Sequence, residues 1–311
     1  EVVKGGVSVL YGSEAMSGVV NIITKKKHAN EVHAGFGNYG QRSYGVSVGD
    51  ERFGFYYNYD KFGRRDGVSY TEYAQARFHG QTRTDVYDIL KQNMGVTYHV
   101  NPRLDFQMGY YETEGKYKRT VTAVDNTHAP TRAQHIHIGV PYNQRKYETK
   151  QYITQLNYRD TDWKGSLFFN TGTLEFMGPS YFHSRTGAKT PNGRYHTREK
   201  NTTYGIDLQR TWRVNPKATA ILGVDLMREM FADLPTPAST DNARYSRNNW
   251  GLFGQWEQRF DKKNTGIFGL RETWTTGAAR SQNYHNLSAS GQWLHKLNRD
   301  NSLYLNVSQS F

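Results

Sequence analysis

Residues 93–110 read NMGVTYHVNPRLDFQMGY. Met94, Val96, Tyr98 and Val100 are apolar, and they alternate with Asn93, Gly95, Thr97 and His99, which are small or polar. After a turn-forming Asn101-Pro102, the beat resumes with Leu104, Phe106, Met108 and Tyr110 against Asp105 and Gln107. Side chains of a strand point alternately to opposite faces, so a two-residue period describes a sheet with one apolar and one polar side. The pattern returns in Tyr204, Ile206, Leu208 and Trp212, in Ala220, Leu222, Val224 and Leu226, and in Trp250, Leu252, Trp256 and Phe260. Helical spacing fits none of these windows.

A soluble antiparallel sheet also alternates, so the decision rests on the character of each face. The polar face is rich in Gly, Ser, Thr, Asn, Gln and Asp, while the apolar face ends in aromatics such as Trp163, Trp212, Trp250 and Phe260. Strands of about 10 to 13 residues with aromatic ends and a polar interior are the mark of an outer-membrane barrel. Soluble strands average about 5 to 6 residues. Thirteen strands are predicted, over 31–38, 41–49, 53–61, 89–100, 103–115, 148–159, 163–175, 201–213, 218–230, 247–260, 265–275, 284–297 and 302–311. Short joins near Gly49-Asp50, Asn101-Pro102, Asp160-Thr161, Asn215-Pro216, Lys262-Lys263 and Arg299-Asp300 alternate with long polar stretches at 62–87, 116–146, 176–199 and 231–246. Barrels distribute their periplasmic turns and extracellular loops in this way. The fold class is therefore all-β, a transmembrane antiparallel barrel. Single-chain bacterial barrels have even strand numbers, so an odd count ending at Phe311 implies further strands beyond it.

Composition agrees. The chain has 311 residues, 36% of them apolar, below the 45–50% usual for a compact soluble domain. Its 23 Tyr, 15 Phe and 6 Trp make 14% of the chain, which argues against disorder. No run of about 18 apolar residues exists, so helical membrane proteins are excluded. The absence of cysteine removes disulfides, thiolate zinc sites and Cys nucleophiles. The net charge of +12 is spread over loops and strand ends without a stripe or recognition helix, so nucleic acid is not an expected partner. With no initiator Met and no basic-then-apolar leader, the chain is expected to begin inside a longer precursor or after processing.

Residues 1–27 break the barrel pattern. They run EVVKGGVSVLYGSEAMSGVVNIITKKK, which resembles the closing segment of the plug domain of TonB-dependent outer-membrane receptors, near E-V-[VI]-R-G-P-x-x-x-x-Y-G-x-x-A-x-x-G-V-[VI]-N-[IV]-[IV]-T-[KR]-[KR]. The match covers about 26 positions with fixed Gly, Tyr and Asn spacing; Lys4 stands where the family prefers Arg, and Gly6 where it prefers Pro. Lys4, Gly5, Tyr11, Gly12, Ser13, Gly18 and Asn21 carry the plug motif. Val2-Val3 and Val19–Thr24 read as short buried strands, and the glycines supply tight turns where side chains would not fit. Most of these residues are expected to be scaffold, with Lys4, Tyr11 and Ser13 as candidates for coupling plug movement to transport. The resemblance implies two parts, the C-terminal end of a plug over 1–27 and a partial barrel over 28–311. It also implies a barrel of 22 strands around a plugged lumen, in the cell outer membrane.

The resemblance further implies active import of a scarce nutrient, usually a ferric siderophore, haem or cobalamin, powered through the TonB–ExbB–ExbD complex by a segment that precedes Glu1. The predicted loops bear on the choice. The first holds Lys116, Lys118, Arg119, His128, Arg132, His135, His137, Tyr142, Arg145 and Lys146 with a single acid, Asp125; the second holds Tyr181, His183, Arg185, Lys189, Arg194, Tyr195, His196 and Arg198. Of these, Arg119, His128, Arg132, His135, His137, Tyr142, Arg145, Tyr181, His183, Arg185 and Arg194 are the candidate ligand-binding residues. Basic and aromatic groups attract an anionic ligand and grip it by charge-assisted hydrogen bonds and stacking. Ferric catecholates are anionic and aromatic, so they suit this set, and the iron complex is a ligand rather than a resident cofactor. The same cations also suit the phosphates of outer-leaflet lipopolysaccharide. His135 and His137 share a face of an extended segment and could ligate haem iron, although solvated loop histidines are the commoner case.

An outer-membrane barrel enzyme is the main rival class and a passive porin the third. No nucleophile elbow, HExxH or paired-carboxylate motif occurs, and no catalytic residues are assigned. A plug segment is not needed by a barrel hydrolase and would close a porin.

Overall fold

The computed structural model describes residues 2–4, 18–20, 30–63, 69–73, 80–124, 138–139, 141–183, 189–277, 283–299 and 301–309. The side chains of 2–4, 18–20, 69–73, 80, 82, 121, 124, 141–143, 179–183 and 189–195 lie outside that description. Two short strands, β1 (Val2–Lys4) and β2 (Gly18–Val20), pair antiparallel with Val2 opposite Val20 and Lys4 opposite Gly18. They form a sheet of their own. The plug-motif positions Gly5, Tyr11, Gly12, Ser13 and Asn21 lie outside the described residues.

Every other strand belongs to one antiparallel sheet. It runs β3 (Glu31–Gly37), β4 (Gln41–Gly49), β5 (Phe53–Phe62), then, past the short β6 (Ser69–Tyr73), β7 (Gly80–Asn101) and β8 (Leu104–Val124). It continues through β9 (Pro141–Arg159), β10 (Trp163–His183), β11 (Lys189–Asn215), β12 (Ala218–Leu234), β13 (Arg244–Arg259), β14 (Asn264–Thr276), β15 (Tyr284–Lys296) and β16 (Ser302–Ser308). Neighbours in sequence are neighbours in the sheet, 13 strands in one path, with β6 pairing only with β7. No described helix is long and apolar enough to cross a membrane, which for a protein crossing with strands carries no weight.

Pairing register turns the alternation of single strands into continuous rows. Phe106, Leu156, Leu167, Ile206, Leu226, Trp250 and Trp274 are successive cross-strand partners over seven strands. One residue away, Asp105, Asn157, Ser166, Asp207, Asp225, Gly251, Thr273 and Asn286 make the neighbouring row on the opposite face. The apolar row is uncovered by protein: Leu167 is 50% exposed and Trp250 53%. Only Ala218 and Phe253 are buried hydrophobic residues among those described. A sheet that leaves its apolar face bare and makes almost no core is stable only where lipid covers that face, and lipid in turn demands that backbone groups pair within the sheet.

On the polar face, side chains bond to one another instead of filling a core. Arg271, 4% exposed, makes an ion pair with Asp225 at 2.8 Å and donates Nε to Thr273 Oγ1 at 2.9 Å. Its guanidinium lies across Gly251, where a Cβ would collide with both Arg271 and Asp225. The glycine is a requirement of the flat ion pair above it.

The long loops expected at 116–146 and 176–199 are corrected by the structure. β8 runs on to Val124, β9 starts at Pro141, β10 runs to His183 and β11 starts at Lys189, giving strands of 19 to 27 residues. The stretch expected as a loop over 62–87 likewise contains β6 and the first residues of β7. Residues beyond the lipid band have water on both sides, so their sequence shows no alternation. Their backbones pair all the same, because ladder hydrogen bonds do not depend on side-chain polarity.

Candidate functional site

The apolar rows end at an aromatic level where Tyr110 and Tyr152 lie with ring centroids 5.0 Å apart. Above it, on the side away from the short turns, β7 to β11 continue as a wall that is polar on both faces. The even-numbered residues of β8 continue the lipid-facing side and the odd-numbered ones continue the inner side, so each cation can be placed by parity.

Arg119 and Arg145 fall on the inner face. Tyr117 is the cross-strand partner of Arg145, and Arg119 is that of Thr84 and Asn143. The two arginines are therefore diagonal neighbours, a relation that sets Cα atoms roughly 7–8 Å apart. Arg119 Cζ lies 5.6 Å from the centre of the Tyr117 ring. Arg145 is buried at 7% exposure and donates Nη1 to the Gln144 carbonyl at 3.0 Å. Next along the same face, Tyr147 pairs with Gly115 on one side and Phe176 on the other. A Cβ at Gly115 would stand 2.5 Å from the Tyr147 hydroxyl, so the glycine gives the ring its place against the wall. Burial pushes the Tyr147 phenol up, which keeps it a neutral hydrogen-bond donor at neutral pH. Two guanidiniums beside two phenol rings and a phenyl ring form a patch that can pair with an anion and stack on a planar ligand.

The outer face of the same strands carries a different arrangement. Lys116 pairs with Asp88 at 2.6 Å and Lys146 with Glu114 at 2.6 Å. Lys146 also reaches Glu148 at 3.5 Å, and Lys150 bridges Glu148 and Glu112. The hydrogen bond from Lys116 holds the Asp88 carboxyl below its ordinary range, and the bond to Glu114 pushes the Lys146 ammonium up. His196 is bonded to Glu175. Lys116, Lys146 and His196, basic residues of the stretches expected to be loops but not among the candidate ligand residues, are thus placed on the outside and bonded to acids of adjacent strands.

Of the other candidates, Tyr142, Tyr181, His183 and Arg194 lie in strands, with Tyr181 opposite Pro191, His183 opposite Lys189 and Arg194 opposite Pro179, but their side chains lie outside the described residues. His128, Arg132, His135, His137 and Arg185 lie outside them altogether. Tyr117, Tyr147 and Phe176 were not singled out from sequence. Carrying the alternation of β8 past Tyr110 to residue 119 puts Tyr117 with Arg119 on the opposite, inner face, and pairing finds the rest.

The chain resembles solved outer-membrane transporters. It covers 99% of itself and 48% of the ferric enterobactin receptor PfeA from Pseudomonas aeruginosa at 16% identity and a TM-score of 0.60. The fold is that of a TonB-dependent receptor barrel. The siderophore receptor PirA from Acinetobacter baumannii (15% identity, TM-score 0.61, 99% of this chain and 47% of that one) shows the same arrangement. So does the copper transporter OprC (13%, TM-score 0.62, 99% and 50%). The chain spans about half the length of the solved structures it matches. No family model matches it.

Proposed function

We propose that the chain is part of a TonB-dependent outer-membrane receptor that binds an anionic iron complex, most simply a ferric catecholate siderophore, and imports it using energy from the TonB–ExbB–ExbD complex. Residues 1–27 are the end of the plug and 28–311 the adjoining part of the barrel. The reading is of a transporter rather than an enzyme. The observation that carries it is the inner-face patch of Arg119, Arg145, Tyr117 and Tyr147, set above the lipid band where a ligand arriving from outside first meets the wall. The plug-like motif and the fold shared with PfeA and PirA support the same reading.

The test is equilibrium binding of the full-length protein to a ferric catecholate, a ferric hydroxamate, haem and cobalamin. Ferric catecholate is expected to bind most tightly, and Arg119→Gln and Arg145→Gln are each expected to weaken it about tenfold, or about 1.4 kcal/mol. Gel mobility with and without heating checks that each variant folds. Tight binding of haem or cobalamin alone would move the substrate to another member of the class, and unchanged binding by both folded variants would remove this patch from the ligand site.

A further inference from the structure

Below the arginine patch, the inner wall of β5 to β9 carries a descending line of phenol rings. Tyr147, Tyr111 and Tyr56 lie twelve, seven and three residues from Arg159, Leu104 and Phe53, the strand ends that border the short turns. A strand rises roughly 3.3 Å per residue, and a tilt of about 40° leaves about 2.5 Å of height, so the rings stand roughly 30, 18 and 8 Å above the turns. An apolar band is about 25 Å tall, so the line runs from above the lipid to near its short-turn edge. Two of the rings lie flat on glycine. Gly95 of β7 and Gly109 of β8 are cross-strand partners. A Cβ at Gly95 would stand 2.6 Å from the Tyr56 ring, and one at Gly109 would stand 3.0 Å from that of Tyr111. Because Gly95 lets the Tyr56 ring cross β7, its hydroxyl comes within 3.1 Å of the Tyr111 hydroxyl two strands away. Tyr111 is still 39% exposed, so the ring face turned away from the wall is open to the lumen.

Charge separates this sector from the rest of the inner wall. Lys91, ten residues from the short-turn end of β7 at Asn101, stands on the inner face about 25 Å up, between the levels of Tyr147 and Tyr111. Its ammonium makes no ion pair or hydrogen bond among the described residues, its cross-strand neighbour Asp60 included. On β11 and β12 the inner face carries acids instead. Glu199 is directly opposite Asp233, and Asp207 is directly opposite Asp225. Of these four only Asp225 has an ion pair among the described residues, to Arg271. An anion in the lumen is therefore repelled from β11 and β12 and drawn to β5–β9, where Arg119 and Arg145 stand above Lys91.

We propose that the β5–β9 sector of the inner wall is the track along which an aromatic anion passes through the barrel, with Tyr111 and Tyr56 forming a second, lower subsite. Lys91 pairs with the charge of the descending ligand, and the open phenol faces stack on its rings. The glycines beneath keep those rings flat, so the lumen beside them stays wide. The track rests on the import reading and adds to it the side of the barrel that the ligand uses.

The experiment uses cells expressing the full-length protein and a radiolabelled ferric tris-catecholate. Binding is measured with the proton-motive force collapsed and uptake with it restored, while vancomycin sensitivity reports a displaced plug and heat-dependent gel mobility reports folding. Tyr111→Ala and Lys91→Gln are each expected to lower saturating uptake about fivefold and to leave the binding constant unchanged. Gln151 on β9 and Asn201 on β11 belong to the same cross-strand row as Tyr111. Gln151→Glu, which puts an anion beside the track without changing shape, is expected to lower uptake about fivefold, and Asn201→Asp to leave it unchanged. Uptake unaffected by Tyr111→Ala, Lys91→Gln and Gln151→Glu overturns the track, and equal losses in Gln151→Glu and Asn201→Asp overturn its confinement to β5–β9. Loss of uptake together with vancomycin entry assigns the rings to holding the plug and overturns the lower subsite. Wild-type cells that neither bind nor import the catecholate overturn the import reading for that ligand and the track with it, whereas intact binding with uptake insensitive to the variants overturns the track alone.

Discussion

Arg210 shows how a single side chain is used at the edge of a lipid band. Its guanidinium lies over the rings of both Trp163, its cross-strand partner, and Trp212, two residues along β11. Arg210 Nε is buried without a hydrogen-bond partner among the described residues, so the indole faces are its environment. A cation over an indole gains about 0.5–1 kcal/mol at exposed sites and about 2 when desolvated. Removing the arginine alone also removes a charge from lipid, and the two effects oppose each other. A double-mutant cycle separates them. With Arg210→Ala, Trp212→Ala and the double variant unfolded reversibly from lipid vesicles in guanidinium, the interaction energy is expected to be about 1 kcal/mol in favour of the pair. A value indistinguishable from zero would mean that the stack is a consequence of crowding and contributes nothing.

The short turns follow one chemical plan. Asp50 Oδ1 accepts the backbone N–H groups of Arg52 and Phe53 at 2.7 and 2.8 Å, Asp160 Oδ1 those of Asp162 and Trp163 at 2.9 and 2.7 Å, and Asp261 Oδ1 those of Lys263 and Asn264 at 2.7 and 2.8 Å. Asn101 and Asn215 do the same with one N–H each. A side-chain oxygen that satisfies two amides of its own turn fixes the hairpin register. These bonds depress all three carboxyls, at Asp160 through the Trp163 amide first and at Asp261 through the Asn264 side chain first. For a carboxyl whose folded pKa lies below its unfolded value, the stabilisation is present above the unfolded value, about 3.9, and is lost as pH falls through the depressed one. The guanidinium midpoint is therefore expected to fall as the pH is lowered below about 4, and Asp160→Asn should flatten that slope while keeping most of the midpoint at pH 7. A slope unchanged in the Asp160→Asn, Asp50→Asn and Asp261→Asn triple variant would place the acid sensitivity elsewhere. These turns were legible in sequence because Asn-Pro, Asp-Thr and Lys-Lys interrupt a strict alternation. The upper parts of β7 to β11 were not: Lys189–Lys200 reads KTPNGRYHTREK, with no period, because water lies on both sides of it. The same blindness made Lys116 and Lys146 read as solvated loop cations, since pairing to Asp88 and Glu114 is set by strand register and not by sequence neighbourhood. The apolar face was legible residue by residue, and the proposed binding patch only in part. Arg119 and Arg145 were found by charge, but that they sit together with Tyr117 and Tyr147 is a property of the register.

At the scale of the whole molecule, the strands have unequal heights. β8 to β11 have 19 to 27 residues and β14 and β15 have 13 each, although all start from the same row of short turns. The excess lies wholly at the end away from those turns, so one sector of the wall stands well above the lipid and carries the Arg119–Arg145 patch. Short-turn placement in bacterial barrels puts that end outward, which sets the proposed patch where a ligand in the medium would first meet it. These 311 residues hold no cysteine, so with any cysteine outside them replaced by serine, one introduced thiol makes the orientation directly measurable. Ala238, exposed between β12 and β13, lies at the far end, and Lys262, exposed between β13 and β14, lies at the short-turn end. In intact cells expressing the full-length protein, a membrane-impermeant maleimide is expected to label Ala238→Cys within minutes and to label Lys262→Cys only after the outer membrane is permeabilised. The reverse pattern would put the patch on the periplasmic side. There the arginines could not meet an external ligand, so the ligand-site proposal stands on this one polarity.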